Sequence, residues 1–449
     1  MGKYFGTDGI RGVFDDFLTV DVARRCGNAL GAKKLGARIV IGGDTRETRN
    51  ILTSAFCLGA MEAGAKIVDV GICTTPGISY LTKKLRADFG AVVSASHNPP
   101  NCNGIKIFDH CGVKLTDEKE EELEKQFENY VKLDGFSVGR FIQDNTLVKK
   151  YEDYLVKCSD VKLRGIKVLV DASNGAAYKI APNVLRRLGA EVVEVHCRAD
   201  GRSINVGCGA LHPYSMREAT IKSGADIGIA LDGDADRIIA CDNLGNVLDG
   251  DIMIYMLAKY LKSQGKLMSD TLVGTKQTNM GLEEELRDMG IELLRSDIGD
   301  KYVIDMIEKN KLNFGGEKVG HIIFRDLAST GDGVLTAIKL CEMMKKEKKK
   351  LSELSKVNLY PQQNIDCIVH DKYKIMESEM LQGQIDWVRE NLGDNARVLV
   401  RPSGTEPKIR IMVECRDNTL ACYYADRLAD VVNGLNNCNL NEEIENLQM

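Results

Sequence analysis

The sequence predicts an α/β protein of several domains, three of them related and followed by a fourth of different pattern. Three segments share one local grammar: a helical stretch, a glycine able to close it in a left-handed conformation, then an apolar strand. They span residues 61–70, 185–195 and 286–294, and the closing residues are Gly64, Gly189 and Gly290. Such spacing is too long for a solenoid and suits one copy per domain. Short apolar runs at 38–41, 91–94, 167–170 and 227–231 are each followed by a polar or glycine-containing loop. Buried strands feeding crossover helices look like this. The helix-glycine-strand unit is common in α/β proteins, so the triplication rests on the two observations together.

Length and composition agree. At roughly 150 residues per domain, 449 residues suggest about three domains. Hydrophobic residues make up 44% and charged residues 28%, an ordinary globular mixture without a disorder signature. The net charge of −5, with no long basic stripe, gives no electrostatic support for binding nucleic acid or an anionic membrane. An anionic ligand must be bound locally. The 14 cysteines are scattered from Cys26 to Cys438 without a C-x-x-C pair, which reads as reduced thiols, Cys57 among them as a small buried hydrophobe. No apolar stretch resembles a signal peptide or a membrane span, so a cytoplasmic protein is expected.

The elements follow in order. Domain boundaries are expected at 1–149, 150–248, 249–360 and 361–449. Residues 117–131 read as a charged amphipathic helix with a solvated face, Asp117 and Glu120 standing at capping-box spacing. Residues 135–144 read as a connection before a helix around 151–155. The run KKEKKK at 345–350 ends another helix, where cations suit the helix dipole. Beyond Tyr360-Pro361 the strand-helix-strand pattern changes, which makes four domains the better count.

In open α/β sheets ligands gather beyond the carboxyl ends of the strands, so the loops there carry the interest. The first is Ser94-Ala95-Ser96-His97-Asn98-Pro99. A serine at the end of a buried strand, beside a histidine, can act as nucleophile or carry a phosphoryl group, and an ordinary turn would read the same. A nucleophile elbow is excluded because both flanking glycines are missing. The second is Asp232-Gly233-Asp234-Ala235-Asp236-Arg237, where carboxylates at i, i+2 and i+4 can converge on one hard cation. An EF-hand is excluded by Arg237 at the sixth position and Asn243 at the twelfth. Mg²⁺ suits three carboxylates with room for a phosphate oxygen and water.

The third loop is Gly315-Gly316-Glu317-Lys318-Val319-Gly320-His321. Its glycines allow close backbone approach, Glu317 can accept from sugar hydroxyls and His321 titrates near neutrality, although a tight turn with a structural histidine fits equally. The fourth is Arg401-Pro402-Ser403-Gly404-Thr405-Glu406-Pro407-Lys408-Ile409-Arg410. Backbone N–H groups, two hydroxyls and guanidinium donors can wrap a phosphate there, with a surface hairpin as the plainer reading.

These four loops in this order, with Tyr4-Phe5-Gly6-Thr7-Asp8-Gly9-Ile10-Arg11-Gly12 at the start, closely resemble the α-D-phosphohexomutases, and the RPSGTEP loop and overall length look most like their bacterial phosphoglucosamine mutase branch. The resemblance implies three related α/β domains and a C-terminal α+β domain around a central cleft. It implies a mutase that interconverts glucosamine 6-phosphate and glucosamine 1-phosphate through a 1,6-bisphosphate, on the way to UDP-N-acetylglucosamine. Ser96 would be the phosphoserine, and one Mg²⁺ would be held by its phosphate with Asp232, Asp234 and Asp236. Arg237 would pair with the same phosphate. Arg11, Lys106, His97 and His321 would stand near the reacting oxygens, Lys106 and His321 as acid and base. Glu317 would meet the sugar, and Arg401, Ser403, Gly404, Thr405 and Arg410 would grip the phosphate that is not being transferred.

Two departures stand out. Family members usually carry Ser where this chain has Val319, which puts the choice of sugar in doubt, and an acidic residue commonly precedes the Asn103-Gly104-Ile105-Lys106 segment where this chain has Asn101 and Cys102. A phosphoglucomutase or phosphomannomutase of the same mechanism is the nearest alternative. A phosphosugar-binding sensor without turnover is another, disfavoured by the intact Asp trio beside Ser96. The expected ligand is a small phosphosugar, and the expected assembly a monomer or homodimer.

Overall fold

The computed structural model describes residues 3–6, 8–133, 137–403 and 406–448. Four sheets follow one another along the chain. The first has seven strands in the order Phe5–Gly6, Gly9–Val13, Cys102–Asp109, Phe89–Val93, Arg38–Gly43, Lys66–Ile72 and Arg140–Gln143. Arg38–Gly43 runs parallel to both of its neighbours, whereas Cys102–Asp109 is antiparallel to Phe89–Val93. Ile39, Ile41, Ala91 and Val93 enter one apolar core and Val40, Val70 and Val92 the other, so the central strands are covered on both faces. Their continuous apolar runs follow from that double burial, which stabilises by about 1.5–3 kcal/mol for each fully buried Val or Ile.

The second sheet orders Val247–Leu248, Ile238–Asp242, Ile227–Leu231, Lys167–Asp171 and Glu191–Val195. The third orders Glu292–Ser296, Thr271–Thr275, Phe314–Gly316 and Ile322–Phe324, and the fourth is an antiparallel trio of Gln362–Ile368, Lys408–Cys415 and Ala396–Pro402. The glycines of the shared grammar all take left-handed backbone, with φ of +86° at Gly64, +99° at Gly189 and +69° at Gly290.

The chain forms two compact units. One comprises residues 1–277 and 290–356, the other 278–289 and 357–449. In the second, Met280 N–H bonds the Glu414 carboxylate, Asn279 Nδ2 donates to Tyr360 O at 2.9 Å and Arg397 Nη1 donates to Thr278 O at 2.9 Å. Thus the helix Met280–Asp288 packs with the last 93 residues, despite lying in sequence among the strands of the third sheet.

Local corrections to the sequence reading have physical causes. The helix after Thr116 runs Asp117–Lys125, shorter than expected, and its cap is the Thr116 hydroxyl, which accepts from Lys119 N–H, instead of Asp117. Its face is not wholly solvated: Glu120 is 4% exposed and accepts from Lys301 Nζ at 2.5 Å. The 135–144 connection contains a strand, Arg140–Gln143, parallel to Lys66–Ile72 at the sheet edge. Gly135 lies outside the described residues. The lysine-rich run ends the helix Gly333–Glu347 as expected, Lys345 and Lys346 standing in its last turn, and Lys348 leaves it in a left-handed turn, φ +53°. Thirteen of the 14 cysteines, Cys26 through Cys422, are free thiols. No helix among the described residues is long and apolar enough to cross a membrane.

Candidate active site

Within the first unit, three sheets deliver their loops to one place. Ser96 follows Phe89–Val93 in a left-handed backbone, φ +52°, and is fully buried. Its Oγ donates to Asp232 Oδ2 at 2.6 Å and lies 3.1 Å from His97 Nδ1. Asp232, Asp234 and Asp236 follow Ile227–Leu231, turned by Ala235 at φ +59°, and one oxygen from each lies within 4.8 Å of the others. All three are buried, yet Asp234 Oδ1 and Asp236 Oδ1 have no hydrogen-bond partner. Two orphaned carboxylate oxygens beside a third carboxylate are what a hard divalent cation requires, so the donor set fits Mg²⁺.

Charges around the trio are arranged in a closed circuit. Lys106, from the strand Cys102–Asp109, sends Nζ to Asp234 Oδ2 at 2.8 Å, Asp236 Oδ2 at 3.1 Å and Asp8 Oδ2 at 3.3 Å. Asp8 also pairs with Arg11 and accepts from Lys114 Nζ at 2.6 Å, and Lys114 bridges on to Asp300. Asp300 Oδ2 stands 3.6 Å from His321 Nε2, while His321 Nδ1 stands 3.9 Å from Asp236 Oδ1. Gly331 N–H donates to Nε2 at 3.1 Å, so the neutral ring carries its hydrogen on Nδ1, toward Asp236. That approach requires glycine, because a Cβ at 331 would lie 2.5 Å from the ring. Burial and the neighbouring Asp236 and Asp234 push the Asp232 carboxyl well up. Against its own burial, Asp236 is held well below the carboxylate range by Lys106 and His321. Lys106 is raised by Asp234, Asp236 and Asp8 although burial works the other way.

His97 is a different case. Burial, then Arg237 and Arg11, lower its ring to about 3, and Arg237 Nη1 donates to Nδ1 at 3.1 Å. It is a neutral acceptor beside Ser96. Arg237 and Arg11 each keep a buried Nε without a hydrogen-bond partner, that of Arg237 standing 4.0 Å from Asp236 Oδ1, so guanidinium donors remain for an anion next to the serine. Glu317 lies in the hairpin between Phe314–Gly316 and Ile322–Phe324, buried, with Oε1 accepting from Gly299 N–H at 3.0 Å. Val319 in the same hairpin is 45% exposed.

The fourth loop belongs to the second unit, where Arg401 and Arg410 are directly opposed across the antiparallel pair Ala396–Pro402 and Lys408–Cys415. Opposed like charges are unfavourable unless an anion joins them. Burial and Arg410 lower Arg401; Arg410 itself pairs through Nη2 with Glu406 Oε2 at 2.9 Å, while its Nε, 3.9 Å from Asp366 Oδ1, has no hydrogen-bond partner. Ser403 Oγ accepts from Glu406 N–H at 3.4 Å, and Lys372 Nζ donates to Ser403 O at 2.5 Å. Gly404 and Thr405 lie outside the described residues.

Sequence reading missed Asp8, Thr75, Lys114 and Asp300 as members of the site. Thr75 Oγ1 donates to Asp234 Oδ2 at 2.5 Å, and its N–H to Asp234 O at 3.0 Å. Its position after the strand Lys66–Ile72 was the available signal. A second gathering, Asp171, His196 and Cys208, has another use. Asp171 there already accepts from Ser173 N–H, Gly209 N–H, His196 Nδ1 and Ser215 Oγ, so it organises a turn.

Family models for phosphoglucomutase/phosphomannomutase match the chain four times: α/β/α domain I at residues 2–134, domain II at 148–245, domain III at 249–360 and the C-terminal domain at 365–431. The chain belongs to this family. The phosphoglucosamine mutase of Desulforamulus reducens is 42% identical over 445 residues, covering 97% of this chain and 100% of that one. That of Clostridioides difficile is 40% identical over 443 residues, covering 96% and 99%. Among solved structures, a phosphoglucomutase/phosphomannomutase family protein of Burkholderia thailandensis superposes with a TM-score of 0.82 at 25% identity, covering 96% of this chain and 97% of that one. The Aspergillus fumigatus N-acetylphosphoglucosamine mutase, solved with GlcNAc-6P and magnesium, shares the fold at a TM-score of 0.68 and 18% identity, with 96% of each chain covered. The four-domain phosphohexomutase architecture expected from the sequence is therefore the one present, and membership makes the chain an isomerase of the mutase kind.

Proposed function

We propose that this chain is a phosphoglucosamine mutase, interconverting glucosamine 6-phosphate and glucosamine 1-phosphate through a phosphorylated Ser96 and a glucosamine 1,6-bisphosphate. The observation that carries the reading is Ser96 Oγ at 2.6 Å from Asp232, inside a carboxylate trio with two unpartnered oxygens. It is supported by full-length relatives of 40–42% identity that bear that name.

In this reading the phosphoryl group on Ser96 passes to the free sugar hydroxyl. The bond to Oγ breaks, a bond to the sugar oxygen forms, and the hydroxyl proton goes to Lys106. Lys106 can accept it only with fewer carboxylates on Nζ than the three it has here, two of which belong to the trio. His321, on the far side of Asp236, serves the opposite direction, and His97 stays neutral, its Nδ1 accepting from Arg237 beside the phosphoryl group. Arg11 and Arg237 balance the phosphoryl charge, about −1.5 to −2 on a phosphoserine. Mg²⁺ held by Asp232, Asp234 and Asp236 with the Ser96 phosphate would neutralise charge and orient the group for in-line transfer. Arg401, Ser403, Gly404, Thr405 and Arg410 hold the phosphate at the other end of the sugar, so that a turned bisphosphate presents either end to one serine. Glu317 takes the sugar hydroxyls. The same reading takes the protein to be cytoplasmic, a monomer or homodimer.

Val319 favours one second reading, a mutase of the same mechanism with a preference for another hexose. The test is ³¹P NMR of the protein with Mg²⁺ and catalytic hexose bisphosphate, offered glucosamine 6-phosphate, glucose 1-phosphate and mannose 1-phosphate in parallel. Preferred formation of glucosamine 1-phosphate is expected, with turnover abolished in Ser96→Ala. Preference for another hexose selects the second reading, and a Ser96→Ala protein that still turns over removes the mechanism.

A further inference from the structure

Ser96 stands in a backbone conformation that residues other than glycine adopt sparingly, so something must hold it there. The holding group is Arg46, whose side chain is 0% exposed and which lies in the loop after the strand Arg38–Gly43. All five of its guanidinium N–H bonds are used. Nε donates to Asp44 Oδ2 at 3.0 Å. Nη1 donates to Pro99 O and to Cys102 O, the latter at 2.8 Å, and Nη2 donates to Ser96 O at 3.1 Å and Asn98 O at 2.7 Å. One side chain therefore fixes four carbonyl groups across seven residues of the serine loop. Asp44 closes a second path to the same residue: it accepts from Ser94 Oγ at 2.6 Å, and Ser94 Oγ accepts from Ser96 N–H at 2.9 Å. The second domain adds Asn205, whose Nδ2 donates to Ser96 O at 2.8 Å and Asn98 O at 3.0 Å.

We propose that Arg46 is a positioning residue for phosphoryl transfer, which sets the peptide plane after Ser96 directly and the one before it through Asp44 and Ser94, and so aims Oγ at the Asp trio. The inference rests on Ser96 being the phosphoryl carrier. A serine that gives and takes a phosphoryl group must return to one place within fractions of an ångström, and a guanidinium fork imposes that on carbonyl oxygens as a flexible ammonium does not. With all five donors of a fully buried guanidinium bound to protein groups, none is left to bind substrate, so the loss of Arg46 is expected to fall on transfer and to spare substrate binding.

The experiment compares Arg46→Lys, Asn205→Ala and the parent by steady-state kinetics with glucosamine 6-phosphate. It also follows the single-turnover rate at which glucose 1,6-bisphosphate phosphorylates Ser96, by intact mass, on protein whose folded fraction is set from thermal melts. Arg46→Lys is expected to lower kcat about 100-fold and Ser96 phosphorylation by the same factor, with KM within about threefold of the parent. Asn205→Ala, which empties little space, is expected to show the same split at about 10-fold and keeps the test open should Arg46→Lys fail to fold. Parental phosphorylation rates in the folded variants, or a raised KM at unchanged kcat, would overturn the proposal. A parent that phosphorylates Ser96 from no bisphosphate and turns over no phosphosugar overturns the reading of Ser96 on which it rests.

Discussion

Asp234 shows how a carboxylate is prepared for a cation. Thr75 and Lys106 both take its Oδ2, at 2.5 Å and 2.8 Å, and leave Oδ1 bare. Partners that orient a ligating carboxylate typically contribute 10–100-fold to metal affinity. Thr75→Val is therefore expected to raise the Mg²⁺ concentration for half-maximal activity by about 10–100-fold, read from a metal titration of turnover; an unchanged midpoint would remove Thr75 from the site. A second residue makes a prediction about pH. Burial pushes the Asp332 carboxyl up to about 6, although it accepts from Leu335 N–H and from Tyr151 OH at 2.6 Å. Its folded value lies above its unfolded one, so its contribution is fully present below about pH 4 and is lost as pH rises through about 6. Asp332→Asn keeps an acceptor and cannot titrate. Its melting temperature relative to the parent should climb between pH 4.5 and 7, and a flat difference would contradict the assignment. At this scale the sequence showed what is local. The Asp trio announces itself by alternation within five residues, whereas Thr75 and Asp234 are 159 residues apart and meet only through the fold.

Helix and strand partners tell the same story with other forces. The helices Val20–Ala32 and Arg49–Glu62 cross with almost no side chain between them: a Cβ at Gly27 would stand 1.9 Å from Phe56 O, and one at Gly59 1.9 Å from Arg24 O. Asn28 Nδ2 secures the crossing through Gly59 O at 3.1 Å and also donates to Val131 O, outside both helices, at 2.6 Å. Gly59→Val should destabilise by about 1–3 kcal/mol or more, because the neighbours it meets are backbone and cannot turn aside, and a urea titration measures this directly. A parental midpoint would mean that the helices can part. The buried strands were legible because both faces are apolar. Arg140–Gln143 was not, since every residue in it is exposed and an edge strand so placed leaves no hydrophobic pattern to read. The cap at Thr116 was displaced by one residue for a similar reason: Asp117 is an equally good capping type, and only geometry chooses between adjacent hydroxyl and carboxylate.

For the molecule as a whole, the four-domain architecture was legible because each domain repeats its own grammar or breaks with it, and four family models match the chain. What no periodicity conveys is that residues 278–289 pack with 357–449. Glu284 lies on that segment and meets both Tyr360 OH, at 2.7 Å, and Arg416 Nη2, at 3.0 Å. Protein ending at Lys356 lacks those partners and should be cut by protease within 278–289 far sooner than the full chain, with resistance there counting against the assignment.

That discontinuity also bears on inheritance. A single recombination event near residue 357 between two diverged homologous genes would give a C-terminal domain one ancestor and its docking helix another, with Asn279, Glu284 and Met280 facing strangers at Tyr360, Arg416 and Glu414. Successful exchange of that domain in a designed chimaera needs three junctions, at about 277/278, 289/290 and 356/357, so that the twelve residues 278–289 move with the last domain although its predecessor's strands enclose them in sequence.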